Sequence, residues 1–161
     1  MRYIGSKVST RDAVYNIVTK GISNGTFCDP FGGIATMSSY FKEKNFRVYT
    51  SDLLTFANYF QTAKLHYNKY PKFKRLFSEL NIKEHKELLE YLNKLCIEKG
   101  WFLDEYSKNR QFFTYDNACK IGAINKKIKE WHKKKYNKNK KNAFLITLLI
   151  WSCLLCNQDN L

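Results

Sequence analysis

The period of apolar positions changes several times along this 161-residue chain. From Lys7 to Lys20, Val8, Ala13, Val14, Ile17 and Val18 recur at mixed spacings of three and four, the mark of an amphipathic helix entered from Gly5-Ser6. Gly25 to Cys28 is a short extended piece that ends in Asp29-Pro30-Phe31-Gly32-Gly33, a turn rich in backbone-permissive residues. Ile34, Met37 and Phe41 then predict a helix from Ile34 to Lys44 that starts directly at the glycines. Phe46 to Ser51 alternates in the manner of a strand and is closed by Asp52, after which Phe56, Tyr59, Phe60, Ala63 and Tyr67 mark another helix. The order is a β-α-β-α unit.

After Tyr70-Pro71 the pattern changes. A basic patch at Lys72, Lys74 and Arg75 precedes a predicted helical stretch from about Lys83 to Lys99 and an aromatic connector near Trp101 to Phe113. Thr114 stands where a helix cap would, with Asp116 in the first turn, and Ile121, Ile124, Ile128 and Trp131 recur along a lysine-studded helix. The apolar run Ala143 to Cys156 is 14 residues long. A membrane helix needs roughly 20, so a buried helix and no membrane partner are expected. The organisation read from these patterns is an α/β part over 1–70, an all-helical insertion over 71–113 and, over 114–161, helices that are first basic and then apolar.

A strand that ends in an acid and passes through a glycine turn into a helix brings open amide hydrogens to a place that a ligand can approach closely. A carboxylate at the end of the next strand, here Asp52, can accept both hydroxyls of a ribose, as in the adenosine sites of doubly wound sheets. The same Asp52 could instead cap the helix that begins near Leu53.

The segments M-R-Y-I-G-S-K at the N-terminus, F-C-D-P-F-G-G over 27–33 and S-D-L-L over 51–54 resemble the opening of the DNA adenine methylase family. The resemblance extends to Phe113-Thr114-Tyr115-Asp116-Asn117-Ala118-Cys119-Lys120-Ile121, and so covers nearly the whole chain in the family's order. It implies an α/β fold, the N-terminal part of a Rossmann-like S-adenosylmethionine-dependent methyltransferase with an all-helical insertion and an incomplete sheet. By resemblance, Tyr3 and Lys7 belong to the motif that closes over the methionine moiety. Asp29, Pro30, Phe31, Gly32 and Gly33 correspond to the cofactor loop, and Asp52 to the ribose-binding acid. The loop pattern F-x-G-x-G ends here in Ala35, which keeps a small residue in place of the last glycine.

Members of that family flip the target adenine from the duplex and hold it with a D-P-P-Y type motif. The prolines of this chain are Pro30 and Pro71, which are not adjacent, and Tyr70-Pro71 has no acid or amide before it. The expectation is therefore a cofactor-binding portion, inactive alone. A second chain carrying D-P-P-Y, or self-association through the apolar final helix, would then cover surface that the rest of the sequence leaves open.

Charge adds a partner. Lysine and arginine number 28 against 14 acidic residues, for a formal net charge of +14, and the stretch from Lys120 to Lys141 holds ten lysines and one acid, Glu130. Such an excess suits a polyanion, here double-stranded DNA. Lys72, Lys74, Arg75, Lys126, Lys127, Lys133 and Lys134 are the expected phosphate contacts, and the insertion is the expected reader of the target sequence, as in a restriction-modification enzyme.

Five cysteines at unrelated spacings and no hydrophobic signal segment fit a reduced, cytoplasmic setting. Cys153 and Cys156 lack a second pair or a nearby histidine and read as core thiols on one helix face rather than a zinc site. Two other function classes stay open. One is a non-catalytic basic DNA-binding module derived from a methyltransferase. The other is a basic helical scaffold, RNA-associated, whose glycines merely shape a turn.

Overall fold

A computed structural model of the chain describes residues 7–97, 99–136 and 139–156, which fall into two compact units divided between Pro71 and Lys72. In the first unit a single 3-10 turn, Val8–Thr10, leads into α1 (Arg11–Thr19), β1 (Thr26–Asp29), α2 (Thr36–Glu43), β2 (Arg47–Thr50) and α3 (Thr55–Gln61). α3 runs on without a break into a wider π turn, Thr62–His66. β1 and β2 pair in parallel, with Thr26 opposite Arg47 and Asp29 opposite Thr50. Parallel neighbours require a crossover, and α2 supplies it. The register brings the two strand ends level, so the segments that follow Asp29 and Thr50 leave the sheet side by side.

Aromatic packing fixes α2 on the sheet. Phe41 is fully buried and stacks on Phe27 of β1 with ring centroids 3.7 Å apart, while Tyr15 and Phe46 close on it at 5.2 Å each. α1 is tied to the same place by the Tyr40 hydroxyl, which donates to the Asp12 carboxylate at 2.5 Å; that hydrogen bond pushes the phenol above its ordinary pKa.

The second unit is helical among the described residues: α4 (Lys74–Leu80), α5 (His85–Asn93), α6 (Trp101–Leu103) continuing into a π turn over Asp104–Asn109, α7 (Tyr115–Lys133) and α8 (Asn139–Cys156). Thr114 caps α7 as its position suggested, its hydroxyl accepting from the Asn117 amide at 3.3 Å. One apolar cluster joins Phe73 and Leu76 of the α4 region, Leu88 and Leu92 of α5, Ile128 and Trp131 of α7, and Leu145 of α8. A second gathers Leu103, Phe113, Ala118, Cys119 and Ile121, with Leu149 and Cys153 of α8 packed against it. The apolar run of α8 therefore serves both clusters, and no described helix is long and apolar enough to cross a membrane. The side chain of Cys156 lies outside the described residues.

Three elements differ from the expected ones. α2 starts at Thr36 rather than at the glycines, because Gly33 and Ala35 both adopt left-handed backbone angles, with φ of 50° and 61°. The basic patch does not precede the helices but opens one: Phe73 and Leu76 are buried, and α4 forms around them with Lys74 and Arg75 facing out. The aromatic stretch 101–109 is helical rather than a connector, with Leu103 at its buried face.

Because Phe41 is fully buried among the rings of Phe27, Tyr15 and Phe46, Phe41→Ala is expected to cost about 3–5 kcal/mol of stability, measured as a shift in the denaturant midpoint at unchanged slope.

Candidate functional site

The carboxyl ends of β1 and β2 carry the residues that the sequence singled out, and hydrogen bonds join them. Asp29 ends β1, and Asp52 follows β2 by two residues. The half-buried Asp52 carboxylate accepts the Gly33 amide through Oδ2 and the Leu54 amide through Oδ1, each at 2.9 Å. It thus bridges the glycine turn and the entry to α3. The Gly32 amide donates to the Ser51 carbonyl at 3.0 Å, and the Ser51 hydroxyl donates to the Pro30 carbonyl at 3.1 Å. Asp29, Pro30, Gly32, Gly33 and Asp52 are therefore one constellation.

Phe31 belongs to the same turn, but its ring projects outward at 84% exposure, and Leu53 beyond β2 is 96% exposed. Two large apolar side chains left in water beside the two strand ends offer faces to a flat apolar ligand. α2 carries no side-chain cap at its start, so its first amides are open to an acceptor.

The helix-cap alternative for Asp52 is met in part. Its Oδ1 holds the Leu54 amide, yet the capping position of α3 is Leu54 itself, and Oδ2 reaches instead to the other strand's turn. A carboxylate offers about four lone-pair sites. Two are used by backbone amides, which leaves room for two further donors.

Several partners of this turn carry no motif of their own. Ser38 of α2, fully buried, donates its hydroxyl to Asp29 Oδ2 at 2.7 Å and sits 3.2 Å from Thr50 Oγ1; the Thr50 hydroxyl in turn lies 3.2 Å from the Asp29 carbonyl. Gln61 at the end of α3 is buried and donates from Nε2 to the Gly33 carbonyl at 3.2 Å. Lys64, in the π turn, donates from Nζ to the next carbonyl, Ile34, at 2.7 Å, and burial pushes its pKa down. One helical segment thus clamps two successive carbonyls of the loop. Lys42 of α2 braces that segment by donating to the carbonyls of Lys64 and Leu65, at 3.2 and 2.8 Å. In the sequence, the signal for these residues is weak: a serine, a glutamine and two lysines at helical spacing look like ordinary polar positions.

Packing within the chain leaves no room for a side chain at Gly32. A Cβ there would run into Thr50 Oγ1 and come within 3.1 Å of Gln61 Nε2 and 3.4 Å of Asp29 Oδ2. The chain's own side chains occupy that space.

Lys7 stands exposed at the start of the Val8–Thr10 turn, and among the described residues no hydrogen bond or ion pair joins its side chain to the glycine turn. Tyr3 lies outside the described residues. The basic candidates all belong to the second unit. Lys72, Lys74 and Arg75 are exposed at the start of α4, and the Lys72 carbonyl accepts from Lys141 Nζ of α8. Lys126 and Lys133, two turns apart on α7, are exposed on the side away from Ile128 and Trp131. Lys127 is half-buried and pairs with Glu130 at 3.3 Å, while Lys134 follows the helix, its ammonium 5.7 Å from the Tyr136 ring centre.

Curated proteins similar to this chain are methyltransferases. The Type II methyltransferase M.FokI of Planomicrobium okeanokoites is 28% identical over 156 residues, a match that covers 93% of this chain and 24% of that protein. M.NlaIII of Neisseria lactamica, also a Type II methyltransferase, is 26% identical over 93% of this chain and 44% of its own length. The modification methylase LlaI of Lactococcus lactis subsp. lactis is 26% identical over 94% of this chain and 25% of its own length. The chain thus spans between about a quarter and under half the length of these relatives. No family model and no solved structure matches it.

The crowding at Gly32 predicts a coupled pair of effects. Gly32→Ala is expected to destabilise the first unit by about 1–3 kcal/mol. Thr50→Ala in the same chain is expected to restore part of that loss, because it removes the atom that the new methyl group would meet. A double-mutant cycle by thermal denaturation reads the coupling; strictly additive losses would show that the two positions do not meet.

Proposed function

From a chain similar over nearly its whole length to Type II methyltransferases, we propose that residues 1–70 are the S-adenosylmethionine seat of a site-specific DNA adenine-N6 methyltransferase. The observation that carries this reading is the Asp52 carboxylate, which holds the Gly33 amide across two parallel strand ends and keeps about two acceptor sites open. Bound there, S-adenosylmethionine would supply the methyl group to be transferred.

The rest of the pocket is the work of this chain's own residues. Asp52 accepts the two ribose hydroxyls. Asp29, set by Ser38, fixes the start of the loop, and Gly33 with the clamped carbonyls of Gly33 and Ile34 holds its shape. Phe31 and Leu53 provide the apolar faces. Lys7, and Tyr3 by resemblance, close over the methionine end. The architecture is read as part of a Rossmann-like sheet, with 71–113 the insertion that reads the target site.

Lys72, Lys74, Arg75, Lys126, Lys127, Lys133 and Lys134 would contact phosphates of double-stranded DNA. Methyl transfer to adenine needs a D-P-P-Y type segment, which these 161 residues do not contain. The chain is therefore proposed to bind cofactor and DNA and to depend on such a segment, in the same or a second chain, for catalysis in a restriction-modification setting within the cytoplasm.

Isothermal calorimetry with S-adenosylmethionine and its demethylated product tests the seat. Binding is expected, and Asp52→Asn is expected to weaken it by about 10- to 100-fold, the loss of one or more hydrogen bonds to a charged acceptor. Absence of heat with either ligand, or equal affinity of Asp52→Asn, would overturn the proposal.

For the DNA role, replacing Lys126 and Lys133 by Gln is expected to weaken binding to all duplexes alike. The slope of log affinity against log salt should become shallower by about 0.9 for each phosphate that is no longer neutralised. A weakening confined to one duplex sequence would contradict phosphate contacts at these two positions.

A further inference from the structure

Outside the glycine turn, the second unit brings two thiols together. α5 ends at Asn93, and the irregular segment of Leu95, Cys96 and Ile97 that follows meets α7 at Ile97. Ile97 seats its side chain over Gly122 of α7, where a Cβ would collide with it, so the segment is pressed onto that helix. Cys119 lies one turn before Gly122 on α7. Its buried thiol donates to the Ile97 carbonyl at 2.7 Å, and the exposed Cys96 thiol reaches the same carbonyl at 3.8 Å. Two sulfurs on one oxygen, from residues 23 positions apart, are held side by side by the packing of Ile97 rather than by chance of sequence.

We infer that Cys96 and Cys119 are a redox-active pair that forms a reversible disulfide, with a small disulfide of the oxidised glutathione class as the oxidant. Cys96 is exposed and Cys119 buried, which sets the order of events. The Cys96 thiolate attacks one sulfur of glutathione disulfide; a Cys96–glutathione mixed disulfide forms, and one glutathione thiolate leaves and takes up the proton that Cys96 gave up. The Cys119 thiolate then attacks Cys96 Sγ and expels the second glutathione. The chain loses two protons and two electrons, and one glutathione disulfide becomes two glutathione thiols. The neighbouring Cys119 thiol pushes the Cys96 pKa up, so attack by Cys96 is favoured by alkaline pH. The crosslink would pin the segment after α5 to α7, the helix that carries Lys126 and Lys133.

The full chain, reduced and then freed of reductant, is treated with glutathione disulfide at about pH 9, on the alkaline side of an ordinary thiol's pKa of about 8.5, because the Cys96 thiol ionises above that ordinary value. It is then digested without reductant for peptide mass spectrometry. The expected product is a peptide pair joined through Cys96 and Cys119 and separated again by dithiothreitol. Cys119→Ser is expected to retain one glutathione on Cys96. In Cys96→Ser, a change at an exposed position, Cys119 is expected to remain a free thiol. Glutathione retained on Cys96 of the unaltered chain, or Cys96 joined to Cys28, Cys153 or Cys156 instead, would overturn the inference. So would rapid modification of Cys119 in Cys96→Ser.

Discussion

The candidate site depends on a single carboxylate that faces two ways. Asp52 takes the Gly33 amide on one oxygen and the Leu54 amide on the other, so the loop after β1 and the helix after β2 are fixed to the same group. A backbone amide held by an ionised acceptor is among the stronger neutral–charged contacts available to a protein. Here it keeps Gly33 in a left-handed conformation and postpones α2 to Thr36, which opens the turn instead of closing it into helix. The parallel register of β1 and β2 sets the distance over which this works.

A second layer makes that arrangement rigid. Ser38, Gln61 and Lys64 come from α2 and from the segment α3 to His66, and each donates to the glycine turn or to its leading acid. The π turn over Thr62–His66 matters here, since a wider turn changes which side chains of the segment face the loop. Gln61 and Lys64, three residues apart, reach successive carbonyls across that change of pitch. A lysine ammonium partly withdrawn from water needs acceptors, and the Ile34 carbonyl is one of them.

The helical unit follows a different logic. Its buried face is aromatic and aliphatic, built on Phe73, Leu76, Ile128 and Trp131, while α7 turns Lys126 and Lys133 to the opposite side. The charge excess is thus a property of exposed faces, which makes it compatible both with plain solvation and with a polyanion. Related methyltransferases are about two to four times as long as the matched stretch.

By itself the sequence determined the order of the first unit, strand, glycine turn, helix, strand and helix, together with the two acids at the strand ends, the cap at Thr114 and the existence of the apolar helix α8, of which Ala143, Leu145 and Thr147 are buried while Leu148 is exposed. These are local matters: period, turn chemistry and capping are set by neighbours a few residues away. It also carried the family resemblance, because motif order survives where overall identity is low. The tertiary structure decided which polar residues serve the turn. Ser38, Thr50, Gln61 and Lys64 look like ordinary polar positions in sequence, and their roles come from contacts 9 to 30 residues away. It decided that α4 forms around Phe73 and Leu76, that Gly32 makes room for Thr50, and that Cys96 meets Cys119. In each case the deciding partner is distant in the chain, and only packing brings it near.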